Sequence, residues 1–126
     1  MSGPMGKRIL FVDDSESVRD MAAMALEILG DFEVVEAVDG LEAQRLLQEE
    51  PFDLVFTDLD MPNMGGDELI EWMRSTESTR EIPVVVLTAG VDKIRQEIAQ
   101  KHKLESFLNK PIDPARLSEV AKKILG

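Results

Sequence analysis

DLVFT, residues 53–57, is an almost continuous apolar run that ends at Asp58. A strand covered on both faces is apolar at successive positions, and such strands occur in parallel sheets that lie between two layers of helices. The run therefore predicts the central strand of an α/β protein. Four further runs of similar length and β-branched or aromatic character predict the other strands, at 8–12, 33–37, 83–87 and 106–109.

Segments of helical period separate these runs, and this alternation is typical of βα units around a parallel sheet. Ser15 or Ser17 is expected to cap the first of five helices, Pro51 to end the second, and Asp113 or Pro114 to begin the last. The predicted inward-facing residues of the five helices are, in order, Val18, Met21, Ala22, Ala25 and Leu29; Ala43, Leu46 and Leu47; Leu69, Ile70 and Met73; Ile94 and Ile98; and Leu117, Val120, Ala121 and Ile124.

The length of 126 residues fits one domain that buries roughly two thirds of its unfolded surface. We expect a single domain over residues 7–126 and a flexible tail over residues 1–6. No apolar run approaches the ~18 residues of a membrane span, and no stretch reads as a secretory signal, which favours a cytoplasmic protein without membrane contact. The chain has no cysteine, so disulfides and thiolate metal sites are excluded.

The formal net charge of −11 argues against direct nucleic-acid binding, which depends on lysine and arginine to neutralise phosphates. The charge is also uneven. Residues 1–90 carry 6 basic and 20 acidic side chains, whereas residues 91–126 carry 8 basic and 5 acidic ones. The last third of the chain could present a surface suited to a protein partner, or simply a solvated face.

Charged and hydroxyl side chains stand where the predicted strands end: Asp13, Asp14, Asp58, Thr88 and Lys110. The carboxyl ends of parallel strands meet at one edge of the sheet, where ligands of open α/β sheets bind. Carboxylates crowded together repel one another unless a cation or a proton relieves them. A hard divalent cation such as Mg²⁺ suits this need, because it takes one or two carboxylates and leaves positions for water and phosphate oxygens.

These residue types point to phosphate chemistry at a carboxylate. Asp58 follows the most buried strand and could act as a nucleophile that takes a phosphoryl group as an acyl phosphate. Asp14 could hold Mg²⁺, with Asp13 acting partly through water. Lys110 could pair with a phosphate oxygen as a charged donor, and Thr88 could donate its hydroxyl to another.

Taken jointly, the motifs resemble the receiver domain of two-component response regulators, especially stand-alone receivers like the chemotaxis regulator. The resemblance covers nearly the whole chain. It implies a flavodoxin-like, doubly wound, five-stranded parallel sheet with strand order 2-1-3-4-5, five helices, and a cis Lys110–Pro111 peptide. The motifs that carry it are Asp13-Asp14, Asp58 with Met61-Pro62 and Gly66, Thr88-Ala89, Phe107 and Lys110-Pro111.

The resemblance also implies a phosphodonor and a metal site. A sensor histidine kinase, a phosphotransfer protein or a small phosphodonor would supply the phosphoryl group to Asp58. Mg²⁺ would be held by Asp14, Asp58 and the backbone carbonyl of Asp60, with help from Asp13. The domain would catalyse only its own phosphorylation and dephosphorylation, and would not be an enzyme with a separate substrate.

A conformational switch is the further implication of the resemblance. Thr88 would move toward the phosphoryl group while Phe107 turns inward, which would reshape the surface of the fourth helix, fifth strand and fifth helix for a downstream protein target. Two positions, Asp60 and Gly90, would modulate the lifetime of the acyl phosphate, because family members differ there.

Two other interpretations stay open at this point. Asp58-Leu59-Asp60 also matches the DxD motif of haloacid-dehalogenase-like phosphatases, although there the motif usually follows the first strand rather than the third. The other alternative is a receiver-like interaction module that is never phosphorylated. Nucleotide binding has no support, since neither GxxxxGK[ST] nor GxGxxG occurs, and the single histidine, His102, argues against a Ser-His-Asp site.

Overall fold

The computed structural model describes residues 6–88, residue 97 and residues 106–126. The described strands form one parallel sheet in the order β2-β1-β3-β4-β5, which confirms the predicted order. β3 and β4 each begin and end one residue later than predicted, so Asp58 and Thr88 are the last residues of strands. The strands are β1 (Arg8–Val12), β2 (Glu33–Ala37), β3 (Leu54–Asp58), β4 (Val84–Thr88) and β5 (Ser106–Asn109).

The described part of the chain contains four helices: α1 (Glu16–Gly30), α2 (Gly40–Glu49), α3 (Gly66–Ser75) and α4 (Pro114–Leu125). Of the predicted fourth helix, through Ile94 and Ile98, the structure describes residue 97 alone, which is helical. Among the described helices, none combines the length and the apolar character that crossing a membrane requires.

Side-chain caps set the starts of three helices. The Ser15 hydroxyl accepts from the Val18 N–H at the start of α1, and the Asp113 carboxylate accepts from the Ala115 N–H at the start of α4, where Pro114 is the first helical residue. Both caps agree with the prediction. α2 begins after Asp39, whose carboxylate accepts from the Glu42 N–H, and it ends before Pro51. Each cap satisfies a backbone donor that has no partner inside the helix.

Apolar side chains fill both faces of the sheet, as expected for parallel strands between helix layers. The Phe11 and Phe56 rings, 5.8 Å apart between centroids, pack on the face that α1 and α4 cover. The opposite face is covered by α2 and α3. The core on that side includes Leu10, Val12, Ala43, Leu47, Val55, Leu69, Ile70, Met73, Val84 and Val86.

The predicted inner face of α1 was wrong at one position. Leu29 is 49% exposed, and Leu26, which the prediction passed over, is fully buried. The 15 residues of α1 span about 22 Å, whereas the five residues of β1 span about 16 Å, so the last turn of the helix extends past the strand it covers. Periodicity places Leu29 on the right face of the helix but cannot show that the sheet ends before it.

Arg8 joins three segments at the amino edge of the sheet. Its guanidinium pairs with Glu33 at 3.1 Å and with Glu50, donates to the Pro51 carbonyl at 2.9 Å, and lies 4.8 Å from the centroid of the Phe52 ring. The hydrogen bond to Glu50, opposed by burial and helped by Glu33, raises the pKa of Arg8 above its usual value. This network ties β1 to β2 and to the segment that leads into β3.

Replacing Arg8 with methionine should lower the free energy of unfolding by about 1–3 kcal/mol, because the Pro51 carbonyl and the two glutamates lose a shared donor. Urea denaturation measures this change. Arg45→Met is the matched control: it removes an exposed pair with Glu49 within α2 and should cost less than about 0.5 kcal/mol. Equal losses in the two variants would show that the Arg8 network contributes nothing beyond a surface pair.

Candidate functional site

The structure brings together four of the five polar residues that the sequence placed at the carboxyl edge of the sheet. Ligand atoms of Asp13, Asp14 and Asp58 all lie within 4.8 Å of one another. The ammonium of Lys110, which directly follows β5, lies 2.8 Å from Asp58 Oδ2 and 2.9 Å from Asp13 Oδ2. Thr88 ends the neighbouring strand β4, and its carbonyl accepts from the Lys110 N–H at 3.1 Å.

Asp13 is fully buried and is held on several sides. Its Oδ1 accepts from the Ser15 N–H at 2.9 Å, its backbone N–H donates to the Ala37 carbonyl of β2 at 3.1 Å, and its carbonyl accepts from Arg19 at 2.8 Å. Asp13 Oδ2 forms a salt bridge with the Lys110 ammonium, but no donor among the described residues makes a hydrogen bond of good geometry to it. This buried oxygen therefore keeps lone pairs for a cation.

Arg19 was not singled out from the sequence. It also pairs with Glu36 of β2 at 3.3 Å and is only 13% exposed, so it fixes the segment after β1 against the neighbouring strand. One signal could have identified it: Arg19 is the only basic residue between Arg8 and Arg45, and it lies six positions after Asp13.

Asp58 is the last residue of β3 and is 7% exposed. Its Oδ2 accepts from Lys110, and its Oδ1 accepts a longer bond of 3.3 Å from the Asp60 N–H. The start of α3 passes very close behind it, since the Gly66 N–H donates to the Leu59 carbonyl at 3.0 Å and a Cβ at Gly66 would overlap the Asp58 carbonyl. Glycine is required at that position because no side chain fits between the two segments.

The electrostatics of the site favour a cation. Three carboxylates face one ammonium, so the cluster carries an excess of two negative charges when all four groups are ionised. Burial of Lys110 works to lower its pKa, but its contacts with Asp58 and Asp13 outweigh burial, and the pKa of Lys110 lies above its usual value. Lys110 is therefore a fixed positive charge at neutral pH. The remaining donors are hard carboxylate oxygens, which fit Mg²⁺.

The other predicted site residues are placed as follows. Thr88 is buried at the end of β4. Phe107 lies in β5, half-buried, and packs against the core that α2 and α3 cover. Asp60 is exposed on the segment after β3. Ala89 and Gly90 lie outside the described residues. The predicted cis peptide between Lys110 and Pro111 is confirmed.

A cavity of about 210 Å³ opens beside Lys110. It lies between the first turns of α1 and the segment after β5. Its lining residues are Ser17, Val18, Met21, Lys110, Pro111 and Ile112.

A family model for the response regulator receiver domain matches residues 9–122. The chain belongs to this family. The receiver domain is similar over almost its full length to the polar-differentiation response regulator DivK of Brucella ovis, with 32% identity over 122 residues that cover 97% of the chain and 98% of the relative. The corresponding regulator of Brucella anthropi is 31% identical over the same length.

Solved structures give the same result for the fold. The chemotaxis protein CheY4 of Vibrio cholerae superimposes with a TM-score of 0.87 and 29% identity, covering 94% of this chain and 98% of that one. A putative response regulator from Chloroflexus aurantiacus superimposes with a TM-score of 0.86 and 28% identity, covering 95% and 98%. The flavodoxin-like architecture expected for a receiver domain is thus confirmed.

Family membership bears on one of the two alternatives that the sequence left open, the haloacid-dehalogenase-like phosphatase. Receiver domains are phosphorylation switches of two-component signalling, so the chain is a signalling switch of this class rather than a phosphatase with its own substrate. Receiver domains also bind Mg²⁺ at an acidic pocket, and the cluster of Asp13, Asp14 and Asp58 is the corresponding feature here.

Proposed function

We propose that the protein accepts a phosphoryl group on Asp58 in a Mg²⁺-dependent reaction and passes the signal on through a change of its surface. One observation carries this proposal: the Asp58 carboxylate meets the Lys110 ammonium at 2.8 Å, inside a group of three carboxylates that converge within 4.8 Å. Lys110 places a positive charge beside the Asp58 carboxylate, which is the group that attacks phosphorus.

Phosphoryl transfer would break the bond between phosphorus and its donor and form a bond from phosphorus to an Asp58 oxygen. With a phosphohistidine of a sensor kinase or a phosphotransfer protein as donor, the imidazole nitrogen keeps the electron pair of the broken bond and takes up a proton from water. The Lys110 ammonium, which lies between Asp58 and Asp13, is within reach to pair with an oxygen of the transferred group. This pairing stabilises the negative charge that arrives beside buried Asp13.

Asp13, Asp14 and Asp58 would hold Mg²⁺ together with the backbone carbonyl of Asp60. The division of burial among them supports this arrangement: Asp13 and Asp58 are buried, whereas Asp14 is exposed at the mouth of the site. When bound, Mg²⁺ neutralises the charge spread over the transferring phosphoryl oxygens. Residues 7–126 would act as one unit in the cytoplasm, without contact to nucleic acid or membrane.

The switch would use Thr88 and Phe107. Thr88 ends the strand beside β3, so its hydroxyl would move toward a phosphoryl group on Asp58, and half-buried Phe107 would turn into the space that this movement leaves. The surface formed by β5, by α4 and by the predicted helix through Ile94 and Ile98 would then bind a downstream protein. The exposed side chain of Asp60 and the missing side chain at Gly90 would set the lifetime of the acyl phosphate.

Intact-mass measurement tests the proposal. Wild-type protein incubated with acetyl phosphate and Mg²⁺ should gain the mass of one phosphoryl group, since the site supplies both a nucleophile and a cation site. The same mixture with a chelator in excess should remain unlabelled. Labelling that is equally fast with the chelator would contradict the Mg²⁺ requirement, and no labelling in either mixture would contradict the switch itself.

A further inference from the structure

Two loops at the carboxyl edge are joined by contacts that the proposed phosphoryl transfer does not use. One loop follows β2 and leads into α2, and the other runs over residues 59–65, between Asp58 and α3. Four residues make the contact, which we call the α2 clasp: Asp39, Gly40, Asn63 and Met64.

Asp39 makes two different hydrogen bonds with its two carboxylate oxygens. Oδ1 accepts from the Glu42 N–H at 2.9 Å and caps α2, whereas Oδ2 accepts from the Asn63 side-chain amide at 2.7 Å. Asp39 is 7% exposed, so it is among the buried charged residues of the described chain, and its cost of burial is offset by these bonds. The cap needs only Oδ1. The bond from Asn63 to Oδ2 is therefore not needed for helix capping; it joins the two loops.

The backbone contact beside it is equally close. The Gly40 N–H donates to the Met64 carbonyl at 3.0 Å, and a Cβ at Gly40 would lie 2.6 Å from that same oxygen. Asn63 adopts a left-handed backbone with a φ of 67°, a conformation that costs an ordinary residue roughly 1 kcal/mol. Asn63 is exposed, yet the buried Asp39 carboxylate holds it in this conformation. The contact therefore maintains the geometry of the loop.

The loop that the α2 clasp holds is the one that carries Asp60. Its base is fixed by the Gly66 N–H, which donates to the Leu59 carbonyl at 3.0 Å, and by the Asp60 N–H, which donates to Asp58 Oδ1 at 3.3 Å. Its far end is held by the α2 clasp and by Met61 and Met64, which pack against the core that α2 and α3 cover. The Asp60 carbonyl lies between these two anchors in the chain, so its direction depends on both.

We propose that Asp39 and Asn63 are positioning residues for the Mg²⁺ site, because the α2 clasp holds the loop that presents the Asp60 carbonyl. This inference rests on the proposed function. Neither residue belongs to the cluster of Asp13, Asp14 and Asp58; both would act through the backbone of the loop. By linkage, Mg²⁺ binding and closure of the α2 clasp strengthen each other by the same factor.

Asn63→Gly is the first test, because glycine accepts the left-handed backbone without cost but has no side-chain amide. The dissociation constant for Mg²⁺, measured by calorimetry without any phosphodonor, should rise about 5–10-fold. The thermal midpoint of the metal-free protein should fall by only a few degrees, because Asp39 Oδ2 loses its donor while the Asp39 cap of α2 stays intact. A fall of that midpoint with an unchanged dissociation constant would mean that the α2 clasp is merely structural, and would overturn the proposal.

An exchange of the two side chains provides the matched control. In the double variant Asp39→Asn/Asn63→Asp, the amide and the carboxylate trade places, the net charge is that of the wild type, and Asn at position 39 still caps α2. Its Mg²⁺ affinity should return to within about twofold of wild type, as expected when a pairwise bond is restored. Affinity that stays as low as in Asn63→Gly would overturn the proposal. Absence of Mg²⁺ binding by the wild type would instead overturn the proposed function and this inference together.

Discussion

Asp58→Asn is expected to abolish phosphorylation by acetyl phosphate, while the protein remains folded. An amide has no anionic oxygen to attack phosphorus, and the other carboxylates of the site cannot replace it. Asp13 is fully buried and already in contact with Lys110, and Asp14 lies on the exposed side of the cluster. Intact-mass measurement at saturating Mg²⁺ gives the result directly.

The stability of Asp58→Asn should match or exceed that of the wild type in the absence of metal. The substitution is nearly isosteric, and it reduces the charge excess of the cluster from two to one. Urea denaturation without Mg²⁺ therefore separates a chemical loss from a folding defect.

Asp60→Asn is the matched control, because Asp60 is exposed, lies two residues away, and is proposed to contribute its backbone carbonyl. This variant should gain one phosphoryl group at an initial rate close to that of wild type, although the acyl phosphate can differ in lifetime. Labelling of Asp58→Asn at the wild-type rate would move the acceptor to another residue.

Lys110→Met is expected to have three effects of different sign. The free energy of unfolding of the metal-free protein should fall by about 1–3 kcal/mol, because two buried carboxylates lose their shared cation. We expect a value near the lower end of this range, since Lys110 is 25% exposed and solvent screens part of the interaction. Mg²⁺ affinity should rise, since a competing positive charge is removed. Phosphorylation at saturating Mg²⁺ should be slower by about 10²-fold or more, because a charged donor to the phosphoryl oxygens is lost.

The stability loss in Lys110→Met has a defined pH dependence. The pKa of Lys110 is raised in the folded state, so its contribution is complete below the unfolded value of about 10.4 and is lost as the pH rises through the folded value. The difference in unfolding free energy between wild type and variant should therefore be constant from neutral pH to about pH 9 and shrink above about pH 10.4.

Lys123→Met is the control for lysine removal, since Lys123 is exposed in the last turn of α4 and outside the site. It should leave stability, Mg²⁺ affinity and phosphorylation close to wild type. Weaker Mg²⁺ binding in Lys110→Met would contradict the view that Lys110 competes with the metal for Asp58 and Asp13.

The local pattern of the sequence predicts most of the secondary structure. The buried run before Asp58 identifies the central strand because both of its faces are covered, and a strand of this kind leaves an unbroken apolar signal. The order of the strands in the sheet could not be predicted in this way. Periodicity cannot show which strands are neighbours, and the order 2-1-3-4-5 was expected from the family resemblance alone before the structure confirmed it.

The residues of the candidate site likewise fall into those that the sequence predicts and those that it does not. Asp13, Asp58 and Lys110 could be predicted because each stands at the end of an apolar run, and parallel strands bring such ends together. Arg19 and the pair of Asp39 and Asn63 could not, since they act through contacts between loops and helices that no period in the sequence reflects. Asp39 and Asn63 are 24 positions apart in the chain, and only the folded structure shows that they meet.

Chemical mapping of the phosphorylated residue tests the central claim most directly, because it uses the unaltered protein. Borohydride reduces an aspartyl phosphate to homoserine and leaves free carboxylates unchanged. After phosphorylation with acetyl phosphate and Mg²⁺, reduction and trypsin digestion, the peptide 46–74 should carry homoserine in place of Asp58. Homoserine in place of Asp13, Asp14 or Asp60 instead, in protein that has gained the mass of a phosphoryl group, would contradict the account.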